Sequence, residues 1–112
     1  MLLSKLISSL DLQPVVSGDD IEVTGGYVSD LMSDVLANAK SGNLWVTNQR
    51  HVNVVAVASL LGLSGVIVAG NAEPDENTVE KAQQEKVSLY KTTLSAFDVV
   101  GRLYELGVRA PK

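Results

Sequence analysis

Between Val52 and Ala69 the chain runs for 18 residues without a charged side chain, and so apolar a run must either cross a bilayer or be buried in a core. The sequence argues against a spanning helix, which needs about 20 largely apolar residues. Gly62, Ser64 and Gly65 interrupt the run, Asn53 lies near its start, and basic or aromatic anchors do not flank both ends. A core reading fits better. Leu44 to Thr47 and Gly65 to Ala69 are short runs carrying Trp, Val, Ile and Thr and closed by turn residues, as in strands buried on both faces. Between them, Val52 to Leu61 is rich in β-branched residues, whose propensity alone favours a strand. Parallel neighbours need a crossover of roughly a dozen residues, normally a helix, and Gly62 supplies its stop signal. The expectation over Leu44 to Gly70 is therefore strand, helix, strand.

The flanking segments extend the pattern. Leu2, Leu3, Leu6, Ile7 and Leu10 recur at helical spacing ahead of Pro14, and Val15-Val16 reads as a small strand or edge. Gly18-Asp19-Asp20 reads as a turn and Ile21 to Thr24 as a short strand leading into a turn at Gly25-Gly26. A helix follows with Leu31, Met32, Val35, Leu36 and Ala39 on one face, Ser29 as its N-cap and Gly42 behind its end. Asp75 starts a largely solvated helix that runs to Lys86. Val87 to Tyr90 is the next strand. The last helix spans Leu94 to Leu106, with Ala96, Phe97, Val99, Val100, Leu103 and Tyr104 on its buried side and Gly107 as its cap. The fold expected is α/β, one domain over residues 1–112, with a small, mostly parallel sheet and helices on both faces.

Composition narrows the chemistry. The absence of cysteine excludes disulfides, thiolate metal sites and thiol catalysis. The single histidine, His51, rules out a multi-histidine metal centre, and the acidic clusters Asp19-Asp20 and Glu73-x-Asp75-Glu76 read as solvated turns, so no metal and no cofactor is expected. A net charge of −4 without a basic block argues against a nucleic-acid partner. The opening MLLSKLISSLDLQP is too short and too polar for a signal peptide, which implies a cytoplasmic protein. Asp98 with Arg102 and Glu105 with Arg109 have the spacing of exposed helix pairs. Trp45 is either a core residue or part of a subunit contact. An aliphatic excess, with mean hydropathy +0.17, points to a homodimer or higher oligomer.

The stretch from TGGYVSDLMSDVLANAKSGNLWVTNQRHVNVVAVASLLGLSGVIVAGNAEP through to YELGV resembles stand-alone DRTGG-domain proteins. With the opening helix and PVVSG included, it is also similar to the N-terminal, non-kinase domain of HPr kinase/phosphorylase. The Asp-Arg pair that names the family falls on Gln49-Arg50, and its Thr-Gly-Gly on Ala69-Gly70-Asn71, so the Arg and the middle Gly are kept. The resemblance implies a regulatory or assembly module. It does not imply kinase activity, because G-x-x-x-x-G-K-[ST], the phosphate cradle of that enzyme's other half, does not occur here.

No catalytic residues are expected. A non-catalytic module that senses a small anionic, nucleotide-like ligand or binds a protein partner is the leading reading; a small enzyme acting on a phosphorylated metabolite through Arg50 and His51 is the alternative. In open parallel sheets ligands bind outside the carboxyl ends of the strands. The residues expected there are Gly25, Gly26, Asn48, Arg50, His51, Gly70, Asn71, Thr92 and Thr93, with the Arg50 guanidinium on the anion. Equally open is that Arg50 only pairs with Asp75 or Glu73.

Overall fold

A computed structural model describes residues 1–111. The elements, in order, are α1 (Leu3–Ser8), β1 (Gln13–Val16), β2 (Gly25–Val28), α2 (Met32–Asn38), β3 (Asn43–Thr47), α3 (Asn53–Leu61), β4 (Gly65–Val68), α4 (Glu76–Glu85), β5 (Leu89–Lys91) and α5 (Ala96–Glu105). The five strands form one sheet in the order β1-β5-β4-β3-β2. β2 to β5 are parallel to their neighbours, and β1 adds to β5 antiparallel, with Gln13 opposite Lys91. The mostly parallel α/β fold expected from the sequence is the one observed.

β3 and β4 are buried along their whole length, as strands with helices on both sides must be. Alternation sends their side chains to two cores. Trp45, Val66, Val68 and Leu89 meet Val35, Val54, Val55, Ala58 and Ala82 from α2, α3 and α4. On the other face, Leu44, Val46, Ile67 and Tyr90 meet Leu3 and Leu6 of α1 and Val99 and Leu103 of α5. Each large apolar side chain fully buried in this way contributes about 1.5–3 kcal/mol. α3 ends in a left-handed C-cap at Gly62, φ +67, whose N–H returns to the helix carbonyls. The β-branched stretch is thus a helix; its valines are bought out of their strand preference by burial against the sheet.

Trp45 is fully buried, and its indole Nε1 donates to the Ser29 carbonyl at 2.9 Å. It is a core residue of the chain, with no surface to offer a subunit contact.

Six local expectations are corrected. The second strand is not Ile21 to Thr24 but Gly25–Val28; the Ile21 carbonyl and the Val23 N–H instead pair with Leu3 and Met1 of the opening segment. Gly25-Gly26 is consequently strand, not turn. Ser29 is not the cap of α2, whose cap position is Leu31; the Ser29 hydroxyl accepts from the Leu31 N–H at 3.1 Å and shapes the turn before it. The last strand is shifted to Leu89–Lys91. On α5, Phe97 and Tyr104 are 88% and 58% exposed, because that helix rests on the sheet through Val99 and Leu103. Arg109 pairs with no carboxylate among the described residues; its guanidinium lies over the Tyr104 ring, 3.7 Å from the centroid.

Asp20 ties α1 to the body of the protein. Its carboxylate accepts from the Ser4 N–H at 2.9 Å and the Ser4 hydroxyl at 2.7 Å, filling the place of an N-cap that Leu2 cannot supply. These bonds hold the Asp20 pKa below its ordinary 3.8. A depressed carboxylate stabilises the folded state above its unfolded pKa, and that contribution disappears as pH falls through the depressed value. Acid titration followed by circular dichroism should therefore show stability falling below about pH 4, with a shallower fall in Asp20→Asn. A second expectation concerns Trp45: its emission should be that of a fully buried indole, and Trp45→Phe, which orphans the Ser29 carbonyl, should cost about 1–3 kcal/mol in urea unfolding.

Candidate functional site

The carboxyl ends of the parallel strands lie on one edge, and the turn after each has a different anchor. After β3, the Asp30 carboxylate accepts from the Thr47 hydroxyl at 2.8 Å and the Asn48 N–H at 2.7 Å, while the Gln49 N–H bonds the Thr47 hydroxyl at 3.1 Å. Asp30, which follows β2, thus fixes the start of the Asn48 to His51 turn. After β4, Gly70 takes φ +73, and a Cβ there would stand 2.4 Å from the Asn48 amide nitrogen, so only glycine lets the two turns close together. Asn48 Nδ2 donates across this contact to the Ala69 carbonyl at 3.3 Å. Asn71 follows in the left-handed region, φ 63, which Asn tolerates better than most residues. Its N–H bonds the Thr92 carbonyl at 3.0 Å, and the Gly70 N–H bonds the Leu94 carbonyl at 2.7 Å.

Between the carboxyl end of β5 and the incoming chain before β1 lies an open cleft of about 500 Å³. It is lined by Asp11, Gln13 and Pro14 on one side and by Asn71, Glu73, Lys91, Thr92 and Thr93 on the other. Its size falls in the usual range for small-molecule sites, roughly 300–1,000 Å³. Thr92 is nearly buried and its hydroxyl is committed to the fold, accepting from the Leu94 N–H at 3.1 Å. Lys91 Nζ holds both oxygens of Glu73, at 2.8 and 2.7 Å.

The residues expected from the sequence separate into three places. Asn71, Thr92 and Thr93 line the cleft, with Asn48 and Gly70 beside them in the adjoining turns. Arg50 and His51 do not line it. They sit at the start of α3, beyond the Asn71 to Asp75 loop, and both face Asp75: Arg50 Nε lies 3.9 Å from one oxygen and His51 Nδ1 3.2 Å from the other. The Arg50 carbonyl is pinned by the Asp75 N–H at 3.1 Å and the Thr78 hydroxyl at 2.7 Å, which locks α4 to this turn. The pairing of Arg50 with Asp75 was one of the two roles its position allowed; Glu73 goes to Lys91 instead. Gly25 and Gly26 belong to neither place, since Gly25 is in register with Asn43 at the amino ends of β2 and β3, on the opposite edge. They serve packing there: a Cβ on Gly25 would stand 2.8 Å from the Arg109 carbonyl.

Asp30, Asp11, Gln13 and Lys91 were not among the expected site residues, and Glu73 was expected only as a possible partner of Arg50. Lys91 carries a readable signal, as the last residue of a strand ahead of Thr92-Thr93. Asp11 and Gln13 do not, because only the long-range pairing of β1 with β5 brings them to the edge. Among the described residues there is no cluster of His, Asp and Glu able to hold a metal ion, and no helix is long and apolar enough to cross a membrane.

No protein-family model matches the sequence, and no curated protein matches it. Among solved structures, the chain is similar to the CBS and DRTGG domains of the regulatory region of Clostridium perfringens pyrophosphatase, determined with the activator diadenosine tetraphosphate. The TM-score is 0.75 at 15% identity, over 90% of this chain and 45% of that one. The fold is DRTGG-like. The chain spans less than half of the matched regulatory region, and at this identity the likeness concerns the fold alone.

Replacing Asp30 by Ala removes both acceptor contacts that shape the turn after β3. We expect a loss of about 1–2 kcal/mol, together with faster amide exchange at Asn48 and Gln49 and little change at β4. Hydrogen exchange read by NMR checks this residue by residue.

Proposed function

We propose that this chain is a non-catalytic regulatory module of the DRTGG type, one unit over residues 1–112, that senses a small anionic, nucleotide-like ligand and acts as a homodimer or with a protein partner. The observation that carries the reading is the open cleft at the carboxyl edge of the parallel sheet, with Asn71, Thr92 and Thr93 in its wall. One further point supports it. The fold is shared with a regulatory region whose own activator is a dinucleotide. Dimerisation is supported by the aromatic side chains that one face of α5 leaves in water, with Phe97 88% and Tyr104 58% exposed.

Arg50 enters this reading as a nearby cation. Its contact with Asp75 is long and exposed, of the kind that contributes about 0–1 kcal/mol, so an anion that bridges from the cleft competes for it at small cost. Calorimetric titration with nucleotides and phosphorylated metabolites, on the native protein and on Arg50→Ala, tests the proposal. Binding weakened several-fold by the substitution is the expected outcome. Equal binding by both proteins removes Arg50 from the site, and binding by neither removes the ligand.

One observation favours the alternative of a small enzyme: the His51 imidazole is oriented by Asp75 through Nδ1, as a general base requires. Turnover of a phosphorylated metabolite that is lost in His51→Ala would establish that reading in place of the first.

A further inference from the structure

Lys91 is the one cation lining the cleft among the described residues, and it is already occupied by the carboxylate of Glu73 from the neighbouring loop. The two partners are unequal. Lys91 ends β5 and is held in the ladder on both sides, opposite Gln13 and beside Val68, and its side chain is only 25% exposed. Glu73 lies on the loop after β4, and its side chain is 69% exposed. A mostly covered ammonium on a strand and an exposed carboxylate on a loop form an unequal pair, of which the carboxylate is the partner free to exchange. With one partner in water the pair adds little to stability, whereas an anionic oxygen taking the place of Glu73 recovers short, charge-assisted hydrogen bonds.

We propose that Glu73 is an internal competitor for Lys91, and that the cleft takes a phosphorylated sugar whose phosphate displaces the Glu73 carboxylate. This rests on the ligand-sensing reading above and adds Lys91, inside the cleft, to Arg50 beside it as a charge contact. Asp11 sets the class of ligand. With Glu73, Asp11 makes the lining acidic, which disfavours a bare polyanion, while the acceptor groups of Asp11, Gln13 and Thr93 among the lining residues suit hydroxyls carried beside the phosphate. Phosphate and vicinal hydroxyls together are the chemistry of a pentose phosphate, free or as the sugar of a nucleotide.

The test is calorimetry with AMP, ribose 5-phosphate and inorganic phosphate on the native protein, Glu73→Gln and Lys91→Met, each checked for folding by circular dichroism. The expected result is binding of AMP and ribose 5-phosphate that tightens roughly fivefold in Glu73→Gln and weakens more than about tenfold in Lys91→Met, with inorganic phosphate weaker throughout. Equal affinity for AMP and ribose 5-phosphate supports the proposal with the sugar phosphate as the whole determinant; tighter AMP supports it with a base contact added. Sugar-phosphate binding that is the same in native protein and Glu73→Gln overturns the competition while leaving the sensing function standing. Inorganic phosphate binding as tightly as ribose 5-phosphate overturns the assignment of the ligand class. No binding of any of the three to native protein or Glu73→Gln overturns both this proposal and the reading it rests on.

Discussion

The structure depends on β3 being covered on both faces. All five of its residues are buried, so helices must stand on each side of the sheet, and the alternation of Leu44 and Val46 against Trp45 decides which core each feeds. The Trp45 indole adds a constraint that burial alone does not. A buried N–H needs an acceptor, and it finds one in the Ser29 carbonyl just past β2, which fixes where that strand stops. The next residue, Asp30, then meets the hydroxyl of Thr47 at the end of β3. The strand that organises the core therefore also organises the first turn of the candidate site.

This coupling explains what the sequence made legible. The segment from Leu44 to Gly70 was readable because strands buried on both faces leave uninterrupted apolar runs, and because a parallel crossover permits few alternatives to a helix. β2 was not readable. Gly25-Gly26 has the composition of a turn, yet the glycines sit in an edge strand because the chain near Arg109 packs against them: the Gly26 N–H donates to the Arg109 carbonyl at 2.9 Å. That contact joins residues more than 80 apart in sequence, beyond any local pattern. The apolar spacing of Ile21 and Val23 was real, but it belongs to pairing with the opening segment, where Leu2 bridges Glu22. On α5 the spacing of Phe97, Val100 and Tyr104 with Val99 and Leu103 describes a stripe wider than the sheet it rests on, and sequence alone does not say which part remains uncovered.

The site divides along the same line. The turns after β4 and β5 were predictable as strand ends, and Asn71, Thr92 and Thr93 do come together. Arg50 and His51 were placed on the correct edge but drawn aside, because the Asp75 N–H and carboxylate both reach back to that turn. An acidic loop read as solvated turned out to supply partners to three basic side chains, Glu73 to Lys91 and Asp75 to Arg50 and His51.

The cleft exists where it does for a topological reason. From β2 to β5 each carboxyl end feeds a βα turn, and the following helix closes the edge above the sheet. β1 runs the other way, so at this edge it offers its beginning, and residues 11–14 arrive as extended chain with no βα turn at that end of β1. Pro14 suits this position, since an edge strand tolerates a missing N–H, and the register slips between Pro14 and Val16. The gap left beside β5 is polar, and the one cation lining it among the described residues, Lys91, is compensated by Glu73 of the neighbouring loop. The next turn repeats the arrangement with Arg50 and Asp75. Each cation on this edge is thus neutralised by an exposed carboxylate on the Asn71 to Asp75 loop, in pairs too weak to hold the fold together. The firm tie between this loop and the rest of the edge runs through the backbone instead: the Asp75 N–H and the Thr78 hydroxyl both rest on the Arg50 carbonyl, so the start of α4 is joined to the turn ahead of α3.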